Sequence, residues 1–419
     1  MAAQALPLPL SLLPPARRGW AMVAAVHLLC ALIFGAMYSF GAFVEALQAR
    51  FGAGRFSVSL VFSLTAFLYY LVGPAAGALA DRFAPRRVVG AGIVLLALGF
   101  ALGSTAGSLA ALTAIYAVFV GLGVGLVYVP AVAVVQRWFV RQRSRASGLA
   151  LAGTGLGTLV APLLAGALLQ ALGWQAAMRW LALGIVVLGL MAAAVLVAQP
   201  ADLGLGPDGE PAPAPGAAAS AAAGLSLAQA VGTARFWWLF ASILLASVGL
   251  FVALVHIAPQ ARGLGLPAGQ APLLIGLVGV GNVAGRLVLG GLGDRLGPQR
   301  LLLALNVALA ALHLLWLAAG SVAALGAFAL LFGLAQGGCI ALYPTVTAEL
   351  FGTRRLGAIL GALYVSVGIA ALFSASAAGW LFDRTHGYAL PIALSGAAAL
   401  LGAACLWRAG PTSSTPLSP

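Results

Sequence analysis

Apolar residues dominate long stretches of this chain, and the polar residues are gathered into the segments that separate them. A helix needs about 20 apolar residues to cross the hydrocarbon core of a bilayer. The pattern therefore predicts an all-α membrane protein with twelve transmembrane helices. The twelve predicted spans are residues 20–46, 57–80, 87–106, 109–136, 146–172, 176–198, 235–260, 271–293, 299–319, 322–349, 356–381 and 389–407.

One connection is longer than the others and differs in composition. Residues 199–224 have the sequence QPADLGLGPDGEPAPAPGAAASAAAG, which is rich in Pro, Ala and Gly. Such a composition is typical of a flexible linker, and here it separates two sets of six spans. The predicted organisation is a tail at 1–19, a six-helix bundle at 20–198, a linker at 199–234, a second six-helix bundle at 235–407 and a tail at 408–419.

Composition and charge narrow the class of protein. The chain is 63% hydrophobic and 7% charged, with a mean hydropathy of +1.08, whereas a soluble domain carries roughly 25% charged residues. A net charge of +13 would suggest nucleic acid binding in a soluble protein, but these charges lie in loops between spans. With both termini in the cytoplasm, fifteen arginines fall in inner loops and five in outer loops. The positive-inside rule thus predicts that both termini are cytoplasmic. Because the charges belong to this topology, we expect no nucleic acid partner, and we expect the chain to lie in a plasma membrane, the inner membrane if the protein is bacterial.

The residue types of common catalytic sites are not arranged for catalysis here. Cys30, Cys339 and Cys405 each lie inside an apolar run without CxxC spacing, which favours buried packing over a disulfide or metal site. The sequence contains no HExxH, GxSxG or P-loop motif. We therefore expect neither an enzyme nor a cofactor or metal site.

The two halves of the chain contain a repeat. Residues 77–87 have the sequence GALADRFAPRR, and residues 290–300 have the sequence GGLGDRLGPQR, at an offset of 213 residues. Both copies follow the second span of their half, on the same predicted side of the membrane. Two similar bundles related by an axis along the membrane normal form one large class of transporters.

The pattern G-x-L-x-D-R-x-x-x-R-R at 77–87 resembles the signature loop of the major facilitator superfamily. The resemblance covers almost the whole chain and implies two six-helix bundles around a central cavity that opens alternately to either side. The aspartates and arginines of this pattern can pair between helix ends on the cytoplasmic face when it is closed, which predicts a gating role. Positive-inside charge alone would explain the arginines but not the aspartate repeated at a fixed place. The signature residues are Gly77, Asp81, Arg82, Arg86, Arg87, Gly290, Asp294, Arg295 and Arg300.

Three further segments resemble the monocarboxylate transporters, especially their bacterial relatives grouped with the oxalate–formate antiporters. They are RRGWAMV near the start, QRWFVRQRSRASGLALAGTGLGTLVAPLL at 136–164 and YPTVTAELFG at 343–352. The resemblance implies that the substrate is a small carboxylate.

Arg286 is the charge placed deepest within a predicted span, and Asn282 lies four residues earlier on the same helix face. A charge in the bilayer centre costs about 2.5–3.5 kcal/mol on insertion scales and usually marks a substrate path. Glu45, Glu349 and Asp383 lie near span ends. A guanidinium matches a carboxylate in geometry, so we expect Arg286 to bind the substrate and Asn282 to assist. The alternative is an arginine that pairs internally or extends to the cytoplasmic side.

Family members from animals have an aspartate and an arginine four residues apart in the eighth span, and Arg286 matches that arginine. Asn282 replaces the aspartate, and the lysine that these relatives carry in their first span is absent. His256, in the seventh span, is the candidate substitute for proton coupling because histidine titrates in the physiological range. It could instead contact the substrate, or be a neutral histidine with its hydrogen bonds satisfied near the outer rim.

Tyr128, Tyr343 and Tyr364 lie on helices that the resemblance places around the cavity. Their hydroxyl groups could contact a small anion, although packing explains each of them equally well.

The charge of the substrate can also be predicted. Oxalate–formate antiporters carry a second cation in the eleventh span, and the corresponding GAILGALYVSVGIAALFSASAAGW contains none. One arginine balances one carboxylate, and an uncompensated second charge would be costly to desolvate. We expect proton-coupled symport of a monocarboxylate such as lactate or pyruvate by a monomer surrounded by membrane lipids. Anion exchange of the oxalate–formate type and a non-transporting anion sensor are the alternatives.

Overall fold

The computed structural model describes residues 13–211, 224–267 and 272–411. Parts of the predicted tails and linker, at 1–12, 212–223 and 412–419, lie outside the described residues. Nearly all of the described chain is helical, which confirms the all-α class. The helices are α1 Pro15–Phe51, α2 Arg55–Leu71, α3 Gly73–Arg82, α4 Pro85–Gly103, α5 Leu109–Ile115, α6 Leu122–Trp138, α7 Arg143–Val195, α8 Leu227–Val231, α9 Ala234–Gly263, α10 Pro272–Leu296, α11 Pro298–Leu317, α12 Val322–Phe351, α13 Leu356–Thr385 and α14 Ala389–Arg408.

The described residues contain ten helices long and apolar enough to cross a membrane, or eleven if the bent pair α2 and α3 is one span. The remaining difference from twelve lies in α7, which contains two of the predicted spans. At Gly173 the backbone leaves the helical region, with φ of 78°, a conformation that glycine adopts without a steric penalty. Each predicted span therefore corresponds to a helical segment.

Two spans depart from regular α-helix. The second predicted span, 57–80, bends by 43° between α2 and α3, where Pro74 at the start of α3 lacks the N–H needed to continue the helix. In the fourth span, residues Tyr116–Gly121 form a π-helical turn between α5 and α6.

The chain divides into two compact units. Unit one comprises Met1–Gly224 and Gly352–Gly361, and unit two comprises Leu225–Phe351 and Ala362–Pro419. Ten residues at the loop before α13 and in its first turns thus pack with the N-terminal half of the sequence. The sequence analysis placed these ten residues in the second predicted bundle, 235–407.

Small residues set the helix packing of unit one. A Cβ added to Gly153 of α7 would overlap the carbonyl oxygen of His27 in α1, and one added to Gly157 would overlap that of Ala31. The two helices are therefore in backbone contact over this stretch, a packing mode that small residues permit in membranes.

The first part of the predicted linker, residues 199–211, belongs to unit one and contacts the residues just before α7. Its Asp208 carboxylate accepts hydrogen bonds from the backbone N–H groups of Val140 and Arg141, at 3.1 and 3.0 Å. Glu210 pairs with the Arg141 guanidinium.

Candidate functional site

Arg286 lies in α10 of unit two, and its residue surface is 7% exposed. This helix is long and apolar enough to cross a membrane. Of the arginines whose burial the structure describes, Arg286 is the one with less than a tenth of its residue surface exposed. Asn282, one turn earlier, is half-buried. The structure thus places the predicted pair on one stretch of a largely apolar helix.

Glycines hold α10 against α12 at the level of this pair. A Cβ on Gly337 would overlap the carbonyl oxygen of Asn282, and a Cβ on Gly285 would overlap that of Leu334. The two backbones are in direct contact here, so the position of Arg286 depends on α12 as well as on its own helix.

Helix α12 adds two buried polar groups in the same unit. Within the described part of the chain, the hydroxyl of Tyr343 and the carbonyl oxygen of Gln336 have no hydrogen-bond partner. Leaving a buried polar group without a hydrogen bond costs about 1–3 kcal/mol. A ligand that forms a hydrogen bond with either group would remove this cost. Tyr343 is one of the predicted site residues, and Gln336 is not. Gln336 could have been noticed in the sequence as an amide side chain within the apolar run LAQGGC. It precedes Gly337, the glycine that contacts Asn282.

His256 is near the C-terminal end of α9, and its residue surface is 9% exposed. Its Nε2 lies 3.0 Å from the carbonyl oxygen of Ala375 in α13, and its ring centroid is 5.7 Å from that of Tyr388. A nitrogen that donates to a carbonyl carries the hydrogen, which leaves Nδ1 as the ring position that can accept a proton or a hydrogen bond. The contact fits both the neutral and the proton-binding interpretations of His256.

The predicted tyrosines are divided between the units. Tyr364, in the part of α13 that belongs to unit two, is 5% exposed. Tyr128, in α6 of unit one, packs edge-to-face on Phe34 with ring centroids 5.3 Å apart. Its ring centroid is 6.4 Å from that of Tyr69, which lies 3.8 Å from that of Tyr70. The structure therefore groups three tyrosines in unit one, of which the site prediction named Tyr128.

The first signature loop is organised around Asp81. Its carboxylate pairs with Arg137 of α6 and accepts hydrogen bonds from the N–H groups of Gly357 and Ala358, at 3.3 and 3.0 Å. These N–H groups belong to the first turn of α13, where unsatisfied donors and the helix dipole favour a negative charge. The pairing of Arg137 with Asp81 was not predicted, because in sequence Arg137 is one of fifteen arginines in the predicted inner loops.

Close approach of α3 and α13 explains one glycine of the signature. A Cβ on Gly77 would overlap the backbone of Gly357. The basic residues of the loop lie at the surface: Arg82 and Arg87 are exposed and Arg86 is half-buried.

The second signature loop is not a copy of the first in conformation. Its Gly297 has φ of 88°, whereas Ala84 at the equivalent position has φ of −58°. Gly290 is buried, Asp294 is half-buried, and Arg295 and Arg300 are exposed. The sequence repeat therefore does not extend to the backbone at this turn.

A family model described as Major Facilitator Superfamily matches residues 26–304 and 239–418. Monocarboxylate transporter 13 of Bos taurus is 30% identical over 393 residues, which cover 93% of this chain and 88% of the relative. Monocarboxylate transporter 11 of Homo sapiens is 32% identical, over 92% of this chain and 81% of the relative. The oxalate:formate antiporter of Oxalobacter formigenes is 27% identical, over 85% of this chain and 83% of the relative.

Solved structures share the fold at low sequence identity. A double tryptophan mutant of XylE has a TM-score of 0.77 at 15% identity, covering 95% of this chain and 97% of that one. The human organic anion transporter MFSD10 has a TM-score of 0.73 at 19% identity, and the match covers 94% of this chain and 100% of that one.

Proposed function

Since this chain belongs to the major facilitator superfamily and to its monocarboxylate transporter family, it is a transporter and not an enzyme, and we propose that it carries a small monocarboxylate such as lactate or pyruvate together with a proton. The observation that supports the substrate class is Arg286, a guanidinium buried within an apolar helix. Its fork of donors suits one carboxylate. Asn282, Gln336 and Tyr343 supply neutral polar groups in the same unit.

Proton coupling follows from the electrical cost of moving an anion. Carrying one negative charge inward against a membrane potential costs about 2.3 kcal/mol per 100 mV. A proton that moves with the anion removes this cost. His256 is the proposed proton carrier, and Nδ1 is the ring nitrogen left to accept the proton when Nε2 donates to the carbonyl oxygen of Ala375. The proposed location is a plasma membrane, with both termini cytoplasmic.

Transport itself is proposed to proceed by alternating access, in which residues 1–200 and 225–419 move relative to each other. The hydrogen bonds of Asp81 with Gly357 and Ala358 join the first signature loop to the start of α13, which supports a role for this loop in the movement. We therefore assign the signature residues to gating and Arg286 to substrate binding.

The first test is uptake of labelled L-lactate into proteoliposomes with and without an inward proton gradient. Stimulation by the gradient is the expected result. Rapid uptake only into vesicles preloaded with a carboxylate would replace symport by exchange. Saturable lactate binding without any flux would point to a sensor, and an absence of both binding and flux would show the substrate class to be wrong.

A further inference from the structure

A groove of about 270 Å³ lies within unit two between α9, α13 and α14. Its lining is aliphatic and aromatic except for Ser374 and Ser395, and the Ser395 hydroxyl donates to the carbonyl oxygen of Pro391. Phe373 and Leu394 line the groove and are 62% and 49% exposed. An apolar groove with exposed apolar side chains at its mouth suits a hydrocarbon chain.

The groove continues along α13 toward a positive charge. Ala370, Phe373, Ala377 and Leu381 line it, and their spacing of three or four residues places them on one helix face. Arg384 follows three residues after Leu381 on the same face. From Ala370 to Arg384 the helix rises about 21 Å, so the apolar surface and the charge belong to one elongated feature.

An exposed tryptophan marks the membrane interface at this end. The Arg384 guanidinium lies 4.8 Å from the centroid of the Trp380 ring, and Trp380 is 56% exposed. Tryptophans concentrate at the level of the lipid headgroups. Arg384 is thus placed at headgroup depth, with the groove extending from it into the hydrocarbon region.

The other charges at this end leave it positive. Asp383 and His386 are exposed, and Arg262 lies in the last turn of α9. Burial raises the pKa of the Tyr388 phenol, and the nearby charge of Arg262 opposes this increase. Arg262 and Arg384 outnumber Asp383, so the net positive charge at this end favours binding of an anion.

We propose that this groove binds one acyl chain of an anionic phospholipid, whose headgroup phosphate contacts Arg384. The apolar lining selects a hydrocarbon chain, and the arginine at its end selects a negatively charged headgroup. A cationic charge near the membrane surface contributes about 1 kcal/mol to binding of an anionic lipid. This corresponds to a preference of about fivefold over a zwitterionic lipid.

Native mass spectrometry of the purified full chain in a mixture of phosphatidylglycerol and phosphatidylcholine tests the proposal. We expect one retained phosphatidylglycerol after mild delipidation, with Arg384→Gln reducing the preference by about fivefold and Arg384→Lys retaining it. Ala377→Leu, which fills the groove, should remove the retained lipid without altering Arg384.

Arg50→Gln is the matched control, since Arg50 also lies over an aromatic ring, that of Phe51, at 5.7 Å but in unit one. It should leave lipid retention unchanged. An unaltered preference in a folded Arg384→Gln variant would overturn the proposal, as would equal losses with Arg50→Gln, which would indicate annular lipid only. A dimer that Ala377→Leu converts to a monomer would show that a second copy of the chain occupies this face.

Discussion

The carboxylate of Asp81 accepts a hydrogen bond from the backbone N–H of Ala358 at 3.0 Å, across 277 positions of sequence. The same carboxylate pairs with Arg137, and the two side chains are 1% and 11% exposed. Asp81 therefore accepts hydrogen bonds from N–H groups in the first turn of α13 and neutralises the charge of Arg137 in α6. Its substitution should affect folding as well as gating.

Asp81→Asn is expected to lower the free energy of unfolding by about 3 kcal/mol, because removing one partner leaves the other charge buried and unpaired. The measurement is thermal or denaturant unfolding in detergent. The double variant Asp81→Asn/Arg137→Gln should lose less than the sum of the two single variants, since each single variant already breaks the pair. Strictly additive losses would contradict the coupling.

Gly337→Ala should destabilise the protein by about 1–3 kcal/mol, because the added methyl group would overlap the carbonyl oxygen of Asn282 and force α10 away from α12. Gly279→Ala is the matched control, since a Cβ there meets nothing within 4 Å. The thermal midpoints of the two variants give the comparison. Equal midpoints would show that the contact does not constrain the helices.

Arg286→Lys tests whether the planar fork of donors binds the substrate. We expect lactate affinity to fall by about tenfold or more, because an ammonium cannot form the bidentate pair. Arg408→Lys, at the exposed end of α14, should retain normal affinity. Calorimetric titration with lactate measures the affinity. An unchanged affinity in Arg286→Lys would show that another group binds the carboxylate.

His256→Gln should abolish the stimulation of lactate uptake by an inward proton gradient while retaining lactate exchange. Glutamine can still donate to the carbonyl oxygen of Ala375, but it cannot take up a proton. His27→Gln is the control, since the Nδ1 of His27 also lies at a backbone carbonyl oxygen, that of Leu149, at 2.7 Å. Gradient-stimulated uptake that survives in His256→Gln would assign the proton to another group.

The linear pattern was sufficient for the helical class, the predicted spans and the parallel repeat. Each depends on composition within about 20 residues or on identity at a constant offset. The same pattern identified Arg286, because a charge within an apolar run is conspicuous without knowledge of its neighbours. It also located the signature aspartate, although not the groups that the aspartate binds.

The contacts between residues that are far apart in the sequence required the tertiary structure. The partners of Asp81, the backbone contact of Gly337 with Asn282 and the bond from His256 to Ala375 join residues on different helices. Helical periodicity specifies which face a residue occupies but not which helix lies against that face. In a bilayer, almost all apolar faces are acceptable to lipid, so hydrophobicity does not distinguish neighbours, and close packing of small residues and a few polar contacts select them instead.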